Sequence, residues 1–557
     1  MHNGKQESTE QQGPPRTADT SSCTVNSPNE YTYTRFGYCV AKVNVVYFLR
    51  DNNGKEVGRG TLEVSTSATL PKEGTGWDEQ VTVKMTEAKD AVTTLNASFR
   101  AHCTTGCTVT KDAPYYGNNF TVNKSKSGFV SYSSTPARGA KVEFTTSYRM
   151  YVTIPEIQIT DPNASWDNPR VLRCDDAAGD ATRPEGSSSG CVVPTVMPVV
   201  PMNAAASDPG GLVAAYGWAQ RTFNGAWGKS GTPLTRSTSG VAARTASTCG
   251  GFLAQTDLVD TDSCGDFPFG DAKEGGTAGA QCAQVIPNLG KGGWDAYVLN
   301  DAHVSDLAAS PCVQVHVTPD EKQFADVQLA GGFEAQRVID GDEFELKVSA
   351  PSTDLQISCR NDPKPPDDAI LTSNGWFWNT TDPVALINKT KPSSGPGERP
   401  AQALACIGRN VEQGTDTSDP ITGWEDAQDF KIRNNVTYGL DRCHLIARKL
   451  GGQGTSERTR KNLVPCWHSG LNTGTPSMRT FEKMAQDRMQ GSESAFGAND
   501  AIFYRVSPVY KNMDSTIPVG VTMSATIQRA NGTTEELFPN VYVTNTLQNT
   551  GTLNLGN

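Results

Sequence analysis

No run in this chain of 557 residues approaches the roughly 20 consecutive apolar residues that cross a bilayer, which excludes a membrane-spanning helix. Positive charge is also short. Against 60 Asp and Glu there are 49 Lys and Arg, and the resulting net charge of −11 argues against nucleic-acid binding by the surface as a whole. Residues Met1 to Ser22 are polar and lack the apolar core of a secretory signal, so the numbered chain reads as a mature form or as one exported by another route. The segment up to Asn29 reads as disordered. No double Cys-x-x-Cys with downstream His partners occurs, which disfavours structural zinc. Hydrophobic residues make up only 36%, with 53 Gly, 33 Pro and a mean hydropathy of −0.46, the composition of a loop-rich, mainly β protein. Its length implies three or four domains.

What is present begins with cysteine. The 14 cysteines fall into close sequential couples: Cys23/Cys39, Cys103/Cys107, Cys174/Cys191, Cys249/Cys264, Cys282/Cys312, Cys359/Cys406 and Cys443/Cys466. Seven local bridges are the expected arrangement, although spacing alone does not fix connectivity. Disulfides on this scale imply an oxidising compartment, and therefore a secreted protein.

The fold class expected is multidomain and mainly β with α+β parts. Residues 30–160 read as a β-sandwich: Val43 to Leu49 and Gly60 to Val64 are strands about a turn at Asp51-Asn52-Asn53-Gly54, and Gln80 to Met85 and Ala140 to Phe144 continue the pattern. Residues 161–320 read as an irregular connection leading into a disulfide-rich middle domain, and 321–392 as a β-rich region in which Glu343 to Val348 alternates cleanly. Ser393 to Gly397 reads as a linker into a last domain, 393–557. There, Pro476 starts a helix whose apolar stripe is Met478, Phe481, Met484, Ala485 and Met489, and Ala501 to Val506 and Gly520 to Ile527 are strands.

The chemistry concentrates in this last part. From Lys431 to Gln490 there are 11 basic and 4 acidic residues, a net +7 in an acidic chain. Cutting a phosphodiester needs a base for water, a cation for the departing oxygen and positive charge for the phosphate. Within Gly439-Leu440-Asp441-Arg442-Cys443-His444, the imidazole of His444 titrates near neutrality and is the candidate base. Asn472 offers an amide oxygen to a hard cation such as Mg²⁺, which binds through few protein ligands plus water and phosphate. Glu482 joins it as a ligand or in the surrounding shell. Arg442 can place its guanidinium on phosphate oxygens. The bland alternatives are a structural His, an Asn in a turn or cap, a solvated Glu and an Arg paired with Asp441.

Asp441-Arg442-Cys443-His444 with Leu445-Ile446-Ala447, the Gly451-Gly452 loop, Asn462-Leu463-Val464-Pro465, Asn472 and Phe481-Glu482 resembles the DNA/RNA non-specific endonucleases of the ββα-metal superfamily. The resemblance covers roughly Arg399 to Val543. It implies His444 as general base, Asn472 as Mg²⁺ ligand with Mn²⁺ a possible substitute, Arg442 as a phosphate contact, and Asp441, Asn462 and Arg488 as supporting polar groups. The family's usual third motif residue is Gly, where this chain has Cys443. A Cys443–Cys466 bridge would pin the base-bearing strand to the segment leading into Asn472.

The middle region carries a second resemblance. Asp262-Ser263-Cys264-Gly265-Asp266-Phe267-Pro268-Phe269 with Glu274-Gly275-Gly276 is similar to the secreted NucA/NucB-like deoxyribonucleases of actinobacteria, as are Pro233 to Arg236, Thr248-Cys249 and the N-terminal β region. That family has paired acidic residues where this chain has Gly265-Asp266, so the region reads as a degenerate copy, with Asp266 and Glu274 as a possible second site. His303 and His316 show no recognisable partners. The function expected is Mg²⁺-dependent hydrolysis of DNA or RNA, by a secreted nuclease or a toxin held in check by an inhibitor or immunity protein. A secreted binding or scaffold protein with an inactive nuclease fold is the alternative.

Overall fold

The computed structural model describes residues 29–557 except 114–117, 156–163, 179–187, 205–209, 289–294, 300–303, 350–358, 360–365, 367, 373, 391–393, 418–419, 457–458, 491–495 and 551–552. The chain divides into two compact units: residues 1–200 with 329–345, and residues 201–328 with 346–557.

In the first unit, the long alternating segments Gly37–Arg50, Glu56–Thr69 and Gly76–Asp90 form neighbouring antiparallel strands of a six-stranded sheet. Their inward residues, including Leu62, Val64, Val81, Val83 and Met85, pack with Leu95, Phe99, Tyr148 and Met150 from a four-stranded sheet. This is the expected sandwich. It is also larger than expected: the stretch read as an irregular connection contains the strands Ala164–Asp167, Leu172–Ala178 and Ser188–Val192, and the last two are stapled by Cys174–Cys191. The segment 329–345 completes the unit. Arg337 is fully buried and pairs with the buried Asp175, while Arg173 donates to Asp342 at 2.7 Å. A buried charge of this kind is tolerated only with such partners.

The second unit is built on one ten-stranded sheet. In it the middle-region strands Ser263–Phe267, Val313–Val317, Ala283–Asn288 and Asp295–Val298 run on directly to Thr534–Thr544, Gly520–Gln528, Ala501–Val509, Gly397–Gly408 and Gly375–Val384. The step from Asp295–Val298 to Thr534–Thr544 is parallel, with Val298 opposite Val541. Two expectations need correction. Residues 321–336, read as part of a β-rich region, lie in a helix, Pro319–Gln336. Its start is a capping box: Glu321 N–H donates to Thr318 Oγ1 at 3.3 Å, and Thr318 N–H donates to Glu321 Oε2 at 2.8 Å. And the segment read as a linker ends inside a strand, since Gly397 opens Gly397–Gly408.

Six of the seven expected disulfides are formed: 103–107, 174–191, 249–264, 282–312, 359–406 and 443–466. The seventh, Cys23–Cys39, includes a residue outside the described ones. Among the described residues no helix is long and apolar enough to cross a membrane.

Candidate active site

The motif forms a two-stranded hairpin, Leu440–His444 against Leu463–Trp467, followed by a helix, Met478–Gln490. The hairpin's second strand is fully buried, and Asn545 ties it to the large sheet by accepting from Trp467 N–H at 3.1 Å and donating to Pro465 O at 3.1 Å. The helix buries Met478, Phe481, Ala485 and Met489, with the Phe481 ring 5.1 Å from Phe538. Met484, counted in the apolar stripe from sequence, is 38% exposed, and Glu482 takes the inward place.

Cys443 sits in a regular strand opposite Val464, and its backbone is not among those with positive φ. Glycine's conformational freedom is therefore not needed there. The side chain is used instead for the bridge to Cys466, whose register partner is Asp441, so the disulfide crosses the hairpin diagonally.

His444 is the last residue of its strand and partly buried. Its Nε2 lies 3.0 Å from the carbonyl of Thr415, an acceptor only, so Nε2 carries the proton and Nδ1 keeps its lone pair. Thr415 is itself held, because its hydroxyl accepts from Gly454 N–H at 2.9 Å. Burial holds the His444 pKa below its ordinary 6.5, with the nearby Arg448 guanidinium adding to the effect and the Thr415 bond and Asp416 opposing it. The lowered pKa favours the neutral ring, the form in which Nδ1 can accept a proton.

Asn462 is fully buried and grips the chain just past the base. Its Oδ1 accepts from Ile446 N–H at 2.9 Å, its Nδ2 donates to Ile446 O at 3.0 Å, and its backbone carbonyl accepts from Leu445 N–H at 2.8 Å. Arg442, two residues before His444 and on the same side of the strand, stacks its guanidinium 3.8 Å from the centre of the Trp424 ring. Trp424 opens the helix Trp424–Arg433.

Asp441 faces the other side of the strand and gathers a second group of residues. Its Oδ2 accepts from Asn472 Nδ2 at 2.5 Å and lies 2.6 Å from His468 Nδ1. Committing Nδ2 of Asn472 to a carboxylate leaves Oδ1 as the oxygen available to a cation. The donors fit a hard divalent ion held by one or two oxygens together with water and phosphate. Among the described residues no group of three or more His, Cys, Asp and Glu forms a metal cage.

Glu482 lies one turn into its helix, 3.7 Å from Arg479, and burial pushes its carboxyl up to about 7 against the pull of Arg479 and Lys449. Arg479 N–H donates to Asn472 O at 3.3 Å, which links Glu482 to the Asn472 loop only indirectly. Arg488 is turned to Glu535 at 2.8 Å. His444 and Asn472 share no hydrogen bond among the described residues, and the three residues from Asp441 to His444 span about 10 Å of strand.

Residues 417–529 match the DNA/RNA non-specific endonuclease family. The matched stretch contains Arg442, His444, Asn462, Asn472 and Glu482, whereas Thr415 lies just before it. Two solved structures of NucA from Streptococcus agalactiae are similar to the chain. The magnesium-bound one is 19% identical, covering 36% of this chain and 84% of that one with a TM-score of 0.22. The metal-free one is 20% identical, covering 32% and 77% with a TM-score of 0.19. No curated protein matches the chain.

The middle region does not assemble a comparable site from the two residues read there. Asp266 is 2% exposed, accepts from Thr245 Oγ1 at 3.0 Å and lies 3.8 Å from Lys322; burial raises its pKa. Glu274 is occupied elsewhere, accepting from Thr235 N–H at 2.9 Å, and among the described residues the two carboxylates share no partner. His303 lies outside the described residues. His316, read as lacking a partner, is fully buried with Nδ1 2.7 Å from Asp262. Two residues that matter at the hairpin escaped the sequence reading: Thr415 acts through its carbonyl, and His468 follows the buried Cys466-Trp467 with no motif of its own.

Proposed function

We propose that the C-terminal domain hydrolyses DNA or RNA phosphodiesters without sequence preference, with His444 as general base. The observation that carries this reading is the His444–Thr415 bond, which fixes the tautomer with an open Nδ1 in a ring that burial keeps neutral. Nδ1 takes a proton from water for attack at phosphorus, a role worth about 10²- to 10⁴-fold in rate. Arg442, held on Trp424, meets phosphate oxygens. Asn472, oriented by Asp441, would hold Mg²⁺ or Mn²⁺ through Oδ1, with Glu482 nearby. When bound, the cation supplies Lewis-acid stabilisation of charge on the departing 3′ oxygen. Contacts to phosphates in place of base edges make such a site tolerant of sequence.

The disulfides support an extracellular setting. Delivery as a toxin with a dedicated inhibitor remains part of the proposal only through the multidomain architecture. The test is plasmid nicking and RNA degradation with Mg²⁺, beside EDTA, His444→Ala and Asp266→Ala. Cleavage abolished by EDTA and by His444→Ala but kept in Asp266→Ala is the expected result. Cleavage that survives His444→Ala and is lost in Asp266→Ala would move the chemistry to the middle region, and no cleavage by the unaltered chain would favour a binding protein with an inactive nuclease fold.

A further inference from the structure

Exposed histidines are ordinarily mobile, yet His468 is fixed at several points. Its N–H donates to Gly439 O at 3.0 Å, its carbonyl accepts from Thr473 N–H at 2.9 Å and from Thr473 Oγ1 at 2.6 Å, and its Nδ1 lies 2.6 Å from Asp441 Oδ2. That same oxygen takes Nδ2 of Asn472 at 2.5 Å, so the imidazole and the amide of the candidate metal ligand hang from one carboxylate atom. The carboxylate accepts only, so Nδ1 is the donor and the ring's other nitrogen, Nε2, is turned from Asp441 on a side chain that is 55% exposed. An orienting carboxylate behind a half-exposed imidazole is how a protein aims the outer ring nitrogen.

We propose that His468 is a substrate-contacting residue that engages the nucleic acid as an imidazolium, Nδ1–H donating to Asp441 and Nε2–H donating to a phosphate oxygen beside Asn472. The inference rests on the nuclease reading of the hairpin and adds to it a residue outside the Arg442–His444 side of the strand. Asp441 thereby serves two groups at once: it orients the amide that would hold the cation and the imidazole that meets the substrate.

Two isosteric variants separate contact from orientation. In His468→Asn the amide nitrogen takes the place of Nδ1 and keeps the bond to Asp441 but has nothing at the Nε2 position. In His468→Gln the amide nitrogen reaches the Nε2 position and gives up the Nδ1 bond. Cleavage kinetics with Mg²⁺ and binding of a fluorescent oligonucleotide in EDTA are measured for both, for His468→Ala and for the unaltered chain, with thermal melting as a folding control. The expected result is that His468→Ala and His468→Asn raise KM and the EDTA Kd about ten-fold with a smaller change in kcat, while His468→Gln recovers most of the loss. Full KM and Kd in His468→Asn with loss in His468→Gln would overturn the contact and leave only orientation of Asp441; unchanged values in all three variants would also overturn it. Were the unaltered chain to bind but not cleave, the hydrolytic reading would fail while the Kd series still decided the role of His468.

Discussion

A single carbonyl decides what His444 can do. Because Thr415 O takes the Nε2 proton and burial disfavours charging of the ring, the proposed base would act in its neutral form, with a folded pKa below the ordinary 6.5. The pH profile of kcat/KM should therefore be flat at neutral pH and fall on the acid side through a pKa below 6.5; an acid limb centred above 7 would contradict the assignment. His444→Ala should remove both the activity and this limb while leaving melting unchanged. The sequence displayed the candidate base through its motif but could not display Thr415, since every residue has a carbonyl and only the fold selects one. A second residue-scale case lies in the first unit. Glu79 is fully buried and accepts from Tyr132 Oη at 2.8 Å, Tyr148 Oη at 2.9 Å and Tyr38 Oη at 3.1 Å. Burial raises its pKa above the ordinary 4.5 in spite of these hydroxyls. The folded state thus holds the proton more tightly than the unfolded chain, so this stability is complete below 4.5 and is lost as pH rises through the folded pKa. Melting of the first unit should fall more steeply as pH rises above 4.5 in the unaltered chain than in Glu79→Gln; parallel slopes in calorimetry would show that the carboxyl is not the cause.

The hairpin is an element stabilised mostly from outside its own two strands. A pair of five-residue strands is marginal alone, and here the Asn545 clamp, the Trp467 core contact and the Cys443–Cys466 bridge hold it. Closing a loop of 23 residues is worth about 3 kcal/mol in the chain-entropy account. A Cys443→Ser/Cys466→Ser double variant should lower the unfolding free energy by that order, and it should lose activity in proportion to loosening of Asp441 and His444. Equal stability with and without reductant would show that the bridge constrains nothing. Elements with clean alternation, such as Glu56–Thr69, were legible in the sequence because one face is buried and the other wet. The helix Pro319–Gln336 was not, since Gly331-Gly332 weakens the helical pattern of its sequence and its apolar positions are few; its readable signal was the Thr318-x-x-Glu321 capping box with Pro319 in the first turn.

At the scale of the molecule, sequence motifs drew a nuclease domain from residue 393 to the end, and the sheet does not respect that line. The strand Gly397–Gly408 pairs on one side with Gly375–Val384 and Thr534–Thr544 pairs with Asp295–Val298. Both partners lie outside 393–557. The external strand also reaches the candidate-site hairpin's support, because Asn379 donates to the buried Asn462 at 3.3 Å, and Cys359 staples the segment before it to Cys406. Motifs mark chemistry, while sheet neighbours are set by pairing between segments far apart in sequence, which no local pattern records. A fragment of residues 393–557 would expose the backbone groups of two long strand edges at once, the arrangement that natural sheets avoid. It should run as aggregates in size-exclusion chromatography or melt well below the full chain, and cleave less per mole. A monomeric fragment with the melting temperature and specific activity of the full chain would show that the nuclease half needs neither neighbour and that the shared sheet is architecture without energetic consequence.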